Sequence, residues 1–205
     1  TAPAGLGKST LLANWINHHK EKIAGKSEQS VHFRFIGQSE HSSNVYSLLQ
    51  FLLRELKEIY GKFEADIPDD PRELRKAFPE FLKEVGSKGK TVIVIDALNQ
   101  LETGLDDLSW LSYQLPENVK LIVSFKTGES PADDLLERME GKVIHSEVRP
   151  FENLEHRKQL VVSYLEQYLK QLDERHLQTL IGLSPTSNPL YLKVVLSELR
   201  VFGSF

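Results

Sequence analysis

Leu11, Leu12, Trp15 and Ile16 recur at helical steps, which predicts an amphipathic helix running to about His19. The period then shortens. Val31 to Ile36 alternates through β-favouring residues and predicts a strand. Val45, Leu48, Leu49, Leu52, Leu53, Leu56 and Ile59 follow a 3.6-residue repeat behind Ser42 to Asn44, which supply N-cap candidates for a long helix. Asp66 to Pro71 breaks the chain, and Arg72 to Val85 predicts a second helix that tolerates Pro79 near a kink. Thr91 to Asp96 is apolar without alternation until its last residue, the pattern of a strand covered on both faces. A helix at Leu105 to Gln114, a buried strand at Lys120 to Phe125, a short helix at Asp133 to Met139 and a last strand at Lys142 to Val148 complete this part. Beyond it, Leu160, Val161, Tyr164, Leu165, Tyr168, Leu169 and Leu172 keep helical spacing, with further helices expected at Glu174 to Leu183 and Pro189 to Val201. Strands alternating with helices predict an α/β fold built on a parallel sheet, residues 1–149, followed by a small all-helical subdomain, residues 150–205.

Composition narrows the function classes. Of 205 residues, 40% are hydrophobic and 26% charged, which excludes a disordered or collagen-like chain. A net charge of -4 gives no global attraction to nucleic acid or an anionic membrane, and no apolar run approaches the roughly 20 residues of a membrane helix. With no cysteine there is no disulfide, thiolate metal site or thiol nucleophile, and a cytoplasmic setting is expected. The seven histidines show no i, i+4 pair, so metal-ligand spacing is absent. Glu155 to Lys158 mixes charge signs and is expected to be a solvated helix face.

Chemistry concentrates at the start of the chain. Ala2-Pro3-Ala4-Gly5-Leu6-Gly7-Lys8-Ser9-Thr10 follows the spacing G-x-x-x-x-G-K-[ST] with Ala2 at the first glycine position. Several backbone N–H groups must converge on a polyphosphate, which calls for glycine where a Cβ would collide or φ is positive, here Gly5 and Gly7. Lys8 offers an ammonium to the β- and γ-phosphates, Ser9 a hydroxyl to Mg²⁺, and Thr10 a further donor near the α-phosphate, all at the positive end of a helix. The strand that should precede such a loop is expected upstream in a longer parent polypeptide. Asp96 ends an apolar strand, where its carboxylate would hold the same Mg²⁺ opposite Ser9. Ala97-Leu98-Asn99-Gln100 then carries amides where a hydrolytic base would be sought; Gln100 can orient water without taking its proton, so slow turnover is expected. Lys126, beyond the strand at Lys120 to Phe125, could sense the γ-phosphate or be a solvated loop lysine.

Together these residues resemble the STAND class of signal-transduction NTPases and, within it, the NACHT-type module found in nephrocystin-like and bacterial antiviral defence proteins. The opening loop is similar to the loop of that class, and Val94 to Leu101 is similar to its metal-binding strand, with Asn99 and Gln100 departing from the usual acids. Lys126 sits where the class places a sensor, often arginine. Ser187-Asn188-Pro189-Leu190-Tyr191-Leu192 is similar to its helical-subdomain motif, which implies that Pro189 packs near adenine. The resemblance implies a three-layer P-loop fold and a switch, closed with ADP and oligomeric with ATP, as a homo-oligomer of the full-length protein. It also implies an upstream effector domain, a winged-helix element after the helical subdomain and downstream sensor repeats. Two other classes stay open: a nucleotide-binding scaffold with little hydrolysis, and a phosphotransferase, which the scarcity of arginines after residue 100 disfavours.

Overall fold

Three strands pair in parallel in the order β1 (Gln29–Phe35), β2 (Lys90–Asp96), β3 (Val119–Val123), with Val31 opposite Val92 and Val94 opposite Ile122. The computed structural model describes all residues except 27, 39–41, 62, 103–107, 112–113, 129 and 203–205. The chain divides into two compact units, Thr1 with Ser9–His145, and Ala2–Lys8 with Ser146–Phe205.

In the first unit, strand alternation assigns the faces. Val31, Val92, Val94 and Ile122 pack with Leu12, Trp15 and Ile16 of α1 (Lys8–Ile23). Ile93 and Ile95 turn to the opposite face, against α2 (Val45–Tyr60) and α3 (Pro71–Lys88). The helix–sheet–helix layering follows from a β2 that is apolar on both sides. α2 begins as its caps predict, Asn44 accepting from the Ser47 amide at 3.1 Å. Its stripe is buried from Val45 to Leu56, each leucine being worth about 2 kcal/mol of transfer. Ile59 is the exception, half-exposed where the last turn of α2 reaches solvent. Leu11 likewise faces solvent, because the sheet-facing arc of α1 is centred on Leu12, Trp15 and Ile16. α3 begins one residue earlier than expected, at Pro71 behind Asp70, whose Oδ1 accepts from the Arg72 and Glu73 amides, and it continues through Pro79 to Lys88.

Two expectations fail in this unit. Within the expected helix at Leu105 to Gln114, residues 105–107 and 112–113 lie outside the described residues, while 108–111 form a turn that buries Trp110 edge-on to Phe78. The strand expected at Lys142 to Val148 is not formed. Among the described residues it has no ladder partner, and Ile144 stands almost wholly in solvent, so neither hydrogen bonding nor burial supports it. Before it, α4 (Ser130–Met139) buries Leu135 and Met139 in the main core.

The second unit is helical. α5 (Leu154–Glu166), α6 (Glu174–Gly182), a 3₁₀ turn at Ser184–Ser187 and α7 (Pro189–Phe202) enclose Val161, Leu165, Leu177, Ile181, Leu192 and Leu196. The apolar stripe expected to run from Leu160 to Leu172 breaks after Glu166. Leu169 adopts φ 56°, with its own amide bonded to the Glu166 carbonyl and the Lys170 amide to the Leu165 carbonyl, the Schellman pattern of a helix end. Arg157, expected on a solvated face, is buried instead. Its guanidinium donates to the carbonyls of Phe151 and Ile181, which seats a charge among the terminal carbonyls of α6.

Candidate functional site

Loop conformation at residues 2 to 8 follows from its glycines. Gly5 and Gly7 take φ 81° and 83°, the left-handed region that residues with a Cβ avoid. The chain then enters α1 at Lys8, with no acidic residue in the first turn to offset the positive helix end. Lys8 Nζ folds back across its own turn and donates to the carbonyls of Ala2, at 2.7 Å, and Pro3, at 2.9 Å. Ser9 and Thr10 are exposed at the start of the helix.

Within the helical unit the loop lies against the start of α7. The Leu190 amide donates to the Gly5 carbonyl at 3.1 Å, and Asn188 Nδ2 donates to the Ala4 carbonyl at 3.5 Å. Pro189 occupies the first turn of α7. Ala4, Gly5, Pro185, Asn188, Leu190 and Tyr191 line an open depression of roughly 440 Å³.

Topology carries Ser9 and Asp96 to one side of the sheet unit. The chain leaves α1 at Ile23 and enters β1 at Gln29, so the C-terminal end of α1 lies at the amino edge of the parallel sheet. Sixteen helical residues span about 24 Å and seven strand residues about 23 Å, which returns the start of α1 to the carboxyl edge. Asp96 ends β2 at that edge, and strand parity with Val92 and Val94 turns it to the α1 face.

Asp96 is buried, and its Oδ1 accepts a hydrogen bond from Ser124 Oγ just past β3. Among the described residues Oδ2 takes no such bond. Ser124 Oγ also accepts from the Ala97 amide at 3.1 Å, and Ala97 itself sits at φ 58°, so the turn after β2 is pinned to the turn after β3. Ser124 had no role in the sequence reading. Its signal is weak: a serine one residue beyond an apolar strand, on the parity that faces Asp96 only once the two strands are known to be neighbours.

The two amides following Asp96 are engaged locally. Asn99 Oδ1 accepts from the Lys126 amide at 2.9 Å, which fixes the backbone of Lys126 beside the 3₁₀ turn at Leu98–Gln100. The Gln100 side chain lies over Gly37, where a Cβ would fall 1.7 Å from Oε1. The donor set offered to a metal, a serine hydroxyl and a carboxylate, is the hard-oxygen chemistry that Mg²⁺ takes. Among the described residues no group of three or more His, Cys, Asp or Glu forms a metal cluster, and no helix is long and apolar enough to cross a membrane.

A model of the NACHT domain family matches residues 2–168. The chain is 31% identical over 241 residues to a TPR repeat-containing protein of Dictyostelium discoideum, a match covering 98% of the chain and 14% of that protein. It is 29% identical over 130 residues to nephrocystin-3 of Mus musculus, covering 62% of the chain and 10% of the relative. With nephrocystin-3 of Xenopus tropicalis the identity is 26% over 206 residues, 98% of the chain and 15% of the relative. The chain thus spans no more than 15% of the length of these relatives.

Proposed function

The chain belongs to the NACHT domain family and is a nucleotide-binding P-loop NTPase module, and on that premise we propose that it is a regulatory switch, binding ATP or ADP with Mg²⁺, hydrolysing slowly and controlling oligomerisation of a larger signalling or defence protein. The observation that carries this reading is the loop itself: two left-handed glycines leading into a helix whose first residue is a lysine already drawn across the turn. A polyphosphate supplies that lysine with stronger acceptors than neutral carbonyls, since charge-assisted bonds are roughly twice as strong as neutral ones.

In this reading Pro3, Ala4, Gly5, Leu6 and Gly7 wrap the phosphates, Lys8 neutralises the β- and γ-oxygens and Thr10 adds a donor. Ser9 and Asp96 hold the cation, Ser124 keeps the Asp96 carboxylate in orientation, Lys126 senses the γ-phosphate and Pro189 borders the base. Mg²⁺, when bound, offsets charge on the phosphate oxygens. Gln100 would position the attacking water without accepting its proton, which keeps turnover slow. The core of residues 1–149 and the helical subdomain of residues 150–205 would be the moving parts of the switch. The repeat-containing relative supports the reading of a downstream sensor array, and an upstream effector domain is proposed by family analogy alone.

A second reading, a nucleotide-binding scaffold with little or no hydrolysis, is favoured by Asn99, whose side chain is occupied by the Lys126 amide. Equilibrium binding of labelled ATP to the complete protein tests both. Lys8→Ala is expected to abolish binding; binding equal to that of the parent would remove the basis of the switch. Phosphate release by the parent at a rate above that of Asp96→Asn separates the slow NTPase from the scaffold.

A further inference from the structure

Every peptide group from Ala2 to Gly5 has its carbonyl engaged. Ala2 and Pro3 receive Lys8, Ala4 receives Asn188 Nδ2, and Gly5 receives the Leu190 amide. The last two partners come from one place, the start of α7. There Asn188 also acts as the N-cap: its Oδ1 accepts from Leu190 at 2.9 Å and Tyr191 at 3.3 Å, and its carbonyl takes the Leu192 amide. Pro189 has no N–H, so the first-turn donors of α7 are all used within the unit. This helix end is therefore not itself an anion site; its donors are committed to the cap and the loop.

The approach is close. A Cβ on Gly5 would fall 2.8 Å from Asn188 Oδ1 and 3.2 Å from Leu190 Cβ, so glycine at position 5 answers to α7 as well as to φ. Among the described residues no peptide bond is cis, and across a trans peptide the carbonyl of one residue and the N–H of the next point in opposite directions. Holding the Ala4 and Gly5 carbonyls on α7 therefore turns the amides of Gly5 and Leu6 away from α7.

We propose that Asn188 is a positioning residue for the phosphate loop: its Nδ2 holds the Ala4 carbonyl beside the Leu190 amide that holds the Gly5 carbonyl, which orients the Gly5 and Leu6 amides for polyphosphate, and polyphosphate in turn tightens α7 on the loop. This rests on the nucleotide-binding reading and adds its coupling to the helical unit. Because linkage is reciprocal, any event that pulls α7 from the loop weakens phosphate binding by the factor with which phosphate strengthens the docking.

Asn188→Ser separates this role from capping, because serine is as good an N-cap but lacks the donor that reaches Ala4. In the complete protein, Asn188→Ser is expected to keep the parent melting temperature without ligand. It is expected to bind both ATP and inorganic tripolyphosphate roughly five- to tenfold more weakly, the cost of one lost oriented hydrogen bond. Equal losses for the two probes locate the effect at the phosphates. Binding within twofold of the parent, or a loss confined to ATP, would overturn the proposal. As a check independent of the variant, tripolyphosphate is expected to slow hydrogen exchange at the Leu190 and Tyr191 amides of the parent, and unchanged exchange would also overturn it. A parent that binds neither probe refutes the nucleotide reading itself; a parent that binds both while Asn188→Ser matches it refutes only the coupling.

Discussion

Glu55 shows how much a partly exposed side chain can depend on its neighbours. Its Oε1 accepts from the buried His32 ring at 2.8 Å and its Oε2 from Arg34, both on β1. The His32 hydrogen bond, opposed by burial and helped by Arg34, holds the carboxyl down from 4.5 to about 2. The His32 ring passes the chain of bonds on to Ser30, which meets Tyr60 at 2.8 Å, and Tyr60 meets Thr91. A carboxyl with a depressed folded value favours the native state at pH above its unfolded value, and that contribution is lost as pH falls through the folded one. The window is therefore from about 4.5 down to about 2. Glu55→Gln is expected to melt below the parent at pH 6 and to converge with it as pH approaches 2.5, recorded as melting temperature against pH. Parallel curves with a constant offset would show that the charge on Glu55 is not what His32 and Arg34 stabilise. Solvent reaches this group, so the difference at pH 6 is expected to be well short of the full shift.

Among the elements, the end of α5 offers the sharpest test. Leu169 sits at the C′ position with φ 56° and its side chain 97% exposed, so it bears the cost of a left-handed backbone and recovers nothing by burial. Leu169→Gly is expected to raise stability by about 1 kcal/mol, and Leu169→Val to lower it, read from urea midpoints. The same residue shows where sequence patterns stop being informative: Leu169 continues the helical spacing of Tyr164 and Leu165, and only the backbone turn at Glu166 reveals that it does not belong to the stripe. α2 was legible because a cap and an unbroken 3.6 repeat agree there. The segment at Lys142 to Val148 was not, because a strand depends on a partner that local alternation cannot supply. Of the candidate site, the loop and Asp96 stand out from covalent spacing alone. Ser124 and the contact between Asn188 and Gly5 could not, since each acts on a residue far away in the chain. The burial of Arg157 is hidden for a related reason: its acceptors are backbone carbonyls, of Phe151 before its own helix and of Ile181 at the end of another, and carbonyls leave no trace in composition.

For the whole molecule, the proposed switch makes a thermodynamic demand stricter than binding. A nucleotide stabilises whatever state it binds, by about 2.7 kcal/mol at a hundredfold excess over Kd, yet it moves an equilibrium between two states only by its difference in affinity for them. A tenfold preference of ATP over ADP for the assembled form is about 1.4 kcal/mol, enough to carry an evenly divided population to roughly nine-tenths assembled. The same preference must appear in reverse: if ATP promotes assembly, assembly tightens ATP. The apparent affinity of the complete protein for ATP is therefore expected to rise with protein concentration while that for ADP does not, measured by competition titration beside sedimentation at matched concentrations. Lys8→Ala should assemble independently of either nucleotide, because the residue proposed to bind the triphosphate tail is gone. If both nucleotides bind with affinities independent of protein concentration while assembly proceeds, the nucleotide is a structural ligand of the module and oligomerisation is controlled elsewhere in the larger protein.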